Sequence, residues 1–359
     1  MNSATGSACS QKRLSFKDGV GLIGSHDLID LGAAADSLCQ EIHPEQFRTF
    51  VVDRNINYTN VCTSGCTFCA FYKDADHRDG YVLPEEEIFK KIEETISLGG
   101  TQILMQGGLH PDLKIDYYVD LLRSIKEKFD IHIHSFSPPE IIHFSTLNDL
   151  PTKEVLVLLK NAGLDTIPGG GAEILTDRCR EILSPHKCSA SEWLQVMREA
   201  HMSGIKSTAT MMFGHVETLE ERVVHLEKIR QLQDETGGFT AFIPWTFQPK
   251  NTALSISDEK TTGFVIGGFD YLRTLAVSRL FLDNVPNIQA SWVTQGSKIA
   301  QLALKFGAND LGSTMIEENV VRAAGVDYRM SKEEMIALIE ELGFEAMQRD
   351  CYYNILSRK

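Results

Sequence analysis

Three thiols, Cys62, Cys66 and Cys69, lie four and then three residues apart in the stretch Asn57-Tyr-Thr-Asn-Val-Cys62-Thr-Ser-Gly-Cys66-Thr-Phe-Cys69-Ala-Phe-Tyr72. Gly65 stands at the bend between them, so the three sulfurs can converge on one point. Thiolates are soft ligands that select zinc or iron–sulfur centres. A structural zinc normally takes a fourth protein ligand, and its knuckles recur along a chain as Cys-x-x-Cys pairs. Here one triplet exists, and a Cys3His zinc site would have to recruit His77. On a four-iron cluster, three cysteines would instead leave one iron open to a small molecule.

The other cysteines, Cys9, Cys39, Cys179, Cys188 and Cys351, form no disulfide framework, and a reducing compartment suits both free thiols and a labile cluster. The polar stretch Met1 to Asp18 lacks the order of a secretory signal, so a cytoplasmic location is expected. The 43% hydrophobic content is that of a globular protein, and no apolar run is long enough for membrane insertion. A formal charge of −14 without a basic block argues against nucleic acid as a partner. A small-molecule substrate in an interior pocket is compatible with all of this.

The elements that must position the thiols read as alternating strand and helix. A cap helix is expected from Ser25 to Ile42, and a strand over Phe50 to Tyr58 runs straight into the cysteine loop. Helix and strand then alternate from Pro84 to a weak eighth strand near Asn309, which implies parallel strands with right-handed crossovers. The fold class is α/β, a TIM-like (βα) barrel, closed or nearly closed. The expected division is a cap segment over 1–45, the barrel over 46–325 and a C-terminal extension over 326–359 packed on it.

In such a barrel the site lies at the carboxyl ends of the strands. The residues falling there include Gln106-Gly-Gly-Leu-His110, Ser137-Pro-Pro-Glu140, Gly169-Gly-Gly-Ala-Glu173 and Gly214-His-Val-Glu217. Gly107 and Gly108 would let backbone approach a ligand closely, though Gly-Gly is also an ordinary turn. Glu173 could accept hydroxyl bonds from a ligand or cap the helix containing Arg178. Met211 and Met212 could flank a base or simply fill core. His215 is an imidazole beside this region, with His110, Glu140 and Glu217 as further proton-transfer candidates. Phe71, Phe247 and Trp292 are candidates for apolar walls, with plain packing as the alternative for each.

The Cys-x-x-x-Cys-x-x-Cys spacing with Phe68 before the third cysteine resembles the signature loop of radical S-adenosylmethionine enzymes. Further segments, among them Asp53-Arg-Asn-Ile-Asn, Gln106-Gly-Gly, Ile167-Pro-Gly-Gly-Gly-Ala-Glu-Ile-Leu175, Ala209-Thr-Met-Met-Phe-Gly and Gly307-Ala-Asn-Asp-Leu-Gly-Ser-Thr-Met315, resemble the futalosine and deazaflavin synthase group from about Leu31 onward. Trp245-Thr-Phe-Gln248-Pro is similar to the cyclase branch of that group. The resemblance implies a 4Fe-4S cluster on Cys62, Cys66 and Cys69. It also implies S-adenosyl-L-methionine held by Phe68, Gln106, Gly107, Gly108, Ser137, Glu173, Met212 and Gly214. The implied reaction belongs to the futalosine route to menaquinone. Hydrogen is taken from C4′ of dehypoxanthine futalosine, the carbon radical adds to the attached benzoate ring, and a proton and an electron are lost. His215 is the candidate base for that proton, and flavodoxin or ferredoxin the kind of external electron donor. Aminofutalosine or deazaflavin synthases of the group are the alternative within the resemblance. A non-catalytic iron–sulfur electron carrier is the alternative outside it, which the clustered strand-end motifs disfavour.

Overall fold

The computed structural model describes residues 13–254 and 266–358. Strands β1 (Phe47–Val51) and β2 (Asp53–Ile56) follow one another across the single residue Val52, yet they belong to different sheets. β2 edges a seven-stranded parallel sheet that continues in sequence order. Its members are β3 (Gln102–Met105), β4 (His132–Ser135), β5 (Thr166–Ile167), β6 (Lys206–Phe213), β7 (Phe239–Thr246) and β8 (Asn287–Ile288). Asp53, Gln102 and His132 are in register across the first three strands. β9 (Asp310–Ser313) stands across the open side. It pairs with β1, and Ala290 N–H donates to Asp310 O at 2.9 Å beside β8 while Ile316 N–H donates to Asp53 O at 3.1 Å beside β2. The seven-stranded sheet is open by itself, and β9 brings the barrel close to closure.

Helices on the outer face are started by local chemistry. Ser189, Thr218 and Ser331 each accept the N–H three residues on, and Glu192, Glu221 and Glu334 return a bond to the cap backbone. The expected cap helix is observed as Leu28–Ile42. Gly32 on it leaves room for the Phe306 ring, which a Cβ there would meet at 2.4 Å. A helix over Phe16–Ile23, whose start overlaps the stretch read from sequence as polar, begins with a Ser15/Asp18 capping box and rests Gly19 against Phe281 and Val223. The helix Pro138–Asn148 begins at the strand-end motif Ser137-Pro-Pro-Glu140, and Asp177–Leu183 is the helix containing Arg178. Among the described residues no helix is long and apolar enough to cross a membrane.

The C-terminal segment joins the architecture through hydrogen bonds. β10 (Glu345–Arg349) runs parallel to β1 with Phe47 opposite Glu345, and β11 (Ile355–Arg358) returns antiparallel to it. This delivers Arg349 to the amino-terminal end of the barrel, where Nε donates to Asp310 Oδ2 at 2.5 Å and a second guanidinium nitrogen to Oδ1 at 3.0 Å. Both side chains are buried, and Asp310 also accepts from Thr49 Oγ1 at 2.5 Å and Gly312 N–H at 2.8 Å. Removing one partner of a buried pair leaves an uncompensated charge. Arg349→Met is expected to lower stability by about 3–5 kcal/mol, read by thermal unfolding, and the added change Asp310→Leu to recover part of the loss.

Candidate active site

The cysteine loop hangs from the carboxyl end of β2 and is pinned on several sides. Cys62 N–H donates to Lys73 O at 3.0 Å, Thr63 N–H to Leu109 O at 3.1 Å, and Thr67 N–H to Leu183 O at 2.8 Å. Gly65 takes φ +57° with open space at its Cβ position, so the bend needs glycine for its backbone conformation. Gly108 is needed for a different reason: a Cβ there would lie 2.1 Å from Val61 O and 2.8 Å from Cys62 Cβ. Gly107 packs against the Tyr58 ring, which a Cβ would meet at 2.5 Å. The Gly-Gly pair is therefore the seat of the cysteine loop as well as a candidate ligand contact.

The donor set suits an iron–sulfur cluster. Ser64 Oγ lies 3.1 Å from Cys66 Sγ. Burial raises the Cys62 and Cys69 thiols, while backbone N–H groups aimed at them, of Leu109 and Ser64 and of Tyr72 and Phe71, favour the thiolates. Among the described residues no three His, Cys, Asp or Glu side chains could hold a single metal ion together. Three cysteines of a 4Fe-4S cluster bind three different irons and stand farther apart than ligands to one ion. His77 Nδ1 accepts from Asp79 N–H at 3.1 Å in its own loop.

Glu140 is buried beside this seat, and its carboxylate accepts four bonds. They come from Tyr58 Oη at 2.6 Å, Gly107 N–H at 3.0 Å, Ser137 N–H at 2.8 Å and Ser137 Oγ at 2.6 Å. Burial raises its pKa and these donors oppose the rise. The carboxylate is committed to holding the ends of three strands together, which leaves it no part as a free base. Gln106 sits next to it, and Gly170 gives it space, since a Cβ at Gly170 would lie 2.6 Å from Gln106 Nε2.

Glu173 does not cap the helix Asp177–Leu183, whose cap position is Thr176. It takes φ +41°, a left-handed backbone rare for a residue with a side chain, and is 5% exposed. Lys187 Nζ donates to its Oε1 at 2.8 Å and lies 5.5 Å from the Phe68 ring centroid. Burial works against the Lys187 charge, and Glu173 and Cys66 more than restore it. Lys187, which the sequence reading missed, thus ties Glu173 to the cysteine loop. Met212 is buried, its N–H donating to Glu173 O at 3.1 Å, and Gly214 at φ +91° packs on Ile266, which a Cβ would meet at 2.1 Å.

His215 has no nitrogen to offer a substrate. Its side chain is 0% exposed, Nε2 lies 2.9 Å from Met212 O, and Nδ1 lies 2.7 Å from Val216 N and 3.0 Å from Glu217 Oε2. Glu217 in turn accepts from Gly214 N–H at 2.6 Å and pairs with Arg222 at 2.9 Å. Burial would raise Glu217, but His215, Arg222 and the Gly214 N–H bring it down to about 2. The Gly214-His-Val-Glu217 motif is a buried brace behind β6. His110 accepts from Asp112 N–H at 3.2 Å in its own loop.

Inside the barrel lies a cavity of about 280 Å3. Its wall follows the two-residue strand period: Asp53 and Asn55 on β2, Gln102, Leu104 and Gln106 from β3, Thr208 and Thr210 on β6, Ile243 and Trp245 on β7. Barrels of this kind normally fill with branched aliphatic side chains; the small and polar residues here leave the interior hollow. Trp245 and Trp292 form the aromatic wall, with Trp292 Nε1 donating to Ser313 O at 2.8 Å. Phe247 instead packs on the His215 ring, centroids 6.3 Å apart, and neither it nor Phe71 lines the cavity.

Glu318 also lines the cavity, and the sequence reading passed it over. It faces a side pocket of about 140 Å3 bordered by Glu317, Arg322, Asp327 and Arg329. Burial raises Glu318 to about 7, against N–H groups of residues 320–322 and with some help from the Glu317 charge. The one available signal was its place three residues after the quoted Met315 motif.

The Gly108 seat has a direct consequence. Gly108→Ala should displace Val61 and Cys62 and lower bound iron after reconstitution several-fold, measured by iron and sulfide content. Iron content equal to the parent's would show that the loop does not rely on that contact.

The sequence matches the family model of the radical SAM superfamily over residues 56–229 and that of the CofH/MqnC C-terminal region over residues 236–358. A protein named cyclic dehypoxanthine futalosine synthase from Halalkalibacterium halodurans is 49% identical over 97% of this chain and 93% of its own. One of the same name from Streptomyces coelicolor is 42% identical over 96% and 86%. A 5-amino-6-(D-ribitylamino)uracil–L-tyrosine 4-hydroxyphenyl transferase from Methanosarcina mazei is 48% identical over 77% and 73%. Among solved structures, methylornithine synthase superposes with TM-score 0.73 at 18% identity, covering 95% of this chain and 96% of that one. The FeFe-hydrogenase maturase of Carboxydothermus hydrogenoformans gives 0.76 at 16%, covering 99% and 80%. The solved structures share the fold, and the sequence relatives give the family: the chain belongs to the radical S-adenosylmethionine superfamily, in the branch that carries the CofH/MqnC C-terminal region.

Proposed function

We propose that this protein is a radical S-adenosylmethionine enzyme that oxidatively cyclises dehypoxanthine futalosine in the futalosine route to menaquinone. The observation that carries the reading is 49% identity along nearly the whole chain to a relative named for that activity. Cys62, Cys66 and Cys69 would hold the 4Fe-4S cluster, and Gln106, the Gly107-Gly108 backbone, Ser137 and Glu173 would line the place of S-adenosylmethionine. When bound, the cluster and S-adenosylmethionine supply the species that abstracts hydrogen from the substrate.

The chain's own residues bind, enclose and take up the proton. Carbon radicals are quenched by loose hydrogen donors and by solvent, so the substrate has to be enclosed. Trp245, Trp292, Ile243 and Leu104 supply an apolar enclosure in the cavity. When the aryl ring regains aromaticity it gives up one proton and one electron. Glu318 Oε takes the proton, and the electron passes to a one-electron acceptor of the iron–sulfur or flavin class. Glu318 takes this role in place of His215 because it faces the cavity and is poised near neutrality. The electron donor that starts the cycle would be a flavodoxin or ferredoxin, and the setting cytoplasmic.

A second reading is the aryl transfer from tyrosine named for the Methanosarcina relative, favoured by its 48% identity. Anaerobic incubation of reconstituted protein with reductant, S-adenosylmethionine and each candidate substrate, followed by mass analysis, separates the two. Cyclised product from dehypoxanthine futalosine is expected; tyrosine consumption without it would reverse the assignment. Cys66→Ala should make no 5′-deoxyadenosine in the same assay.

The role of Glu318 predicts a pH dependence. A carboxyl raised to about 7 accepts a proton only in its deprotonated form, which prevails above that pH. The yield of cyclised product per 5′-deoxyadenosine should rise as pH passes upward through about 7. In Glu318→Gln it should be low and flat while 5′-deoxyadenosine continues to form. An unchanged profile in the variant would remove Glu318 from proton transfer.

A further inference from the structure

One wall of the barrel cavity offers hydrogen-bond acceptors that nothing among the described residues uses. Gln102 donates from Nε2 to Asp53 Oδ2 at 2.7 Å, which fixes the orientation of its amide and leaves the buried Oε1 without a partner. Asn55 Oδ1, on the adjacent strand, is also buried without a partner. The two residues are 5% and 4% exposed, and both line the cavity. Asp53 pairs with Gln102 and Asn55 with Leu104, so Asn55 stands one inward step above Gln102, roughly 8 Å away between backbones from sheet spacings. One ring-sized ligand can reach both.

Part of the remaining polar lining is committed, while Tyr353 Oη is buried without a partner among the described residues. Thr208 Oγ1 accepts Gly169 N–H at 3.0 Å, and Thr210 Oγ1 donates to Gly169 O at 2.6 Å. Arg349, the cation lining the cavity among the described residues, is held by Asp310 through two nitrogens and donates from the third to Asp350 O at 3.0 Å. Gln102 Oε1 is thus an acceptor of fixed orientation, and the Asn55 amide beside it makes no bond among the described residues, so the pair suits hydroxyl groups, which donate and accept.

We propose that Asn55 and Gln102 form a subsite for the hydroxyl groups of the substrate's sugar-derived ring. The subsite rests on the futalosine reading of the site given above. It accounts for both bare oxygens, and it sets which face of the ring is presented for hydrogen abstraction. Binding by hydroxyl donation is selective because an analogue lacking the group leaves a buried acceptor unpaired.

The test is steady-state kinetics on dehypoxanthine futalosine and on analogues each lacking one ring hydroxyl, with the parent, Asn55→Ala and Gln102→Met. Iron content and thermal unfolding check that each variant is folded, and either variant alone suffices. The parent is expected to lose about tenfold in kcat/KM on at least one deoxy analogue. A variant lacking the matching acceptor should lose a similar factor on the full substrate, mainly through KM, and no longer distinguish it from that analogue. Losses that simply multiply would sink the subsite and assign the two oxygens to bound water. A parent that turns over none of these compounds, yet cleaves S-adenosylmethionine, would instead overturn the futalosine reading and this substrate assignment with it.

Discussion

The Glu140 carboxylate is the interaction on which the site depends. It lies in the interior and collects four hydrogen bonds from Tyr58, Gly107 and Ser137, residues that end β2, β3 and β4. A buried carboxylate is costly unless its acceptors are satisfied, so the three strand ends are driven to meet around it. Once they meet, Gly107 is fixed against Tyr58, and Gly108 is fixed against Val61 and Cys62. The cysteine loop then has one place to sit. Its position is secured by a carboxylate that bonds to none of the three cysteines, in the way that outer partners hold the ligands of metal sites.

A second constraint is that the barrel must be hollow without being weak. Its interior gives up the branched side chains that usually fill it, and with them much apolar burial. Structure elsewhere offsets this. The helix Gly268–Phe281 is buried on every side against the amino-terminal helices, and the Arg349–Asp310 pair braces the floor where β9, β1 and β10 meet. Some polar residues facing the cavity are bonded to one another, Gln102 and Ser313 to Asp53 and Ser291 to Thr294, which fixes their orientation. Rigid walls with fixed donors and acceptors are what a radical reaction needs if it is to proceed in one direction.

The alternation of strand and helix was readable because each element carries its own period, and it is observed in elements such as the strand Gln102–Met105 and the helix Thr152–Ala162. The cysteine triplet was readable because its spacing is itself the chemistry. What stayed hidden depends on partners distant in sequence. Glu173 looks like a helix cap until Lys187 is seen bonded to it, and His215 looks catalytic until Met212 O and Glu217 are found against its ring. Glu318 has no local signal beyond its place after Met315, since its raised pKa comes from burial by a fold that must close first. The helix Phe16–Ile23 was obscured because its apolar face is short and is completed only by Phe281 and Val223.

The two matched segments divide the barrel in a way that bears on how such enzymes differ. Residues 56–229 carry the cysteine loop, Gln106, Glu140, Glu173 and Lys187, the parts arranged around the cofactor place. Residues 236–358 carry Trp245, Gln289, Trp292, Met315, Glu318 and Arg349, which line the opposite side of the cavity and its floor. On the proposed function the first segment would hold the cluster and one wall of the cavity, and the second would supply the opposite wall. Because β9 and β10 pair with β1, which runs into β2 through Val52, the second half is hydrogen-bonded into the same frame as the first. A change of side chains along β7, β8 and β9 can therefore alter what fits the cavity while the strand ends around Glu140 keep the cysteine loop where it is.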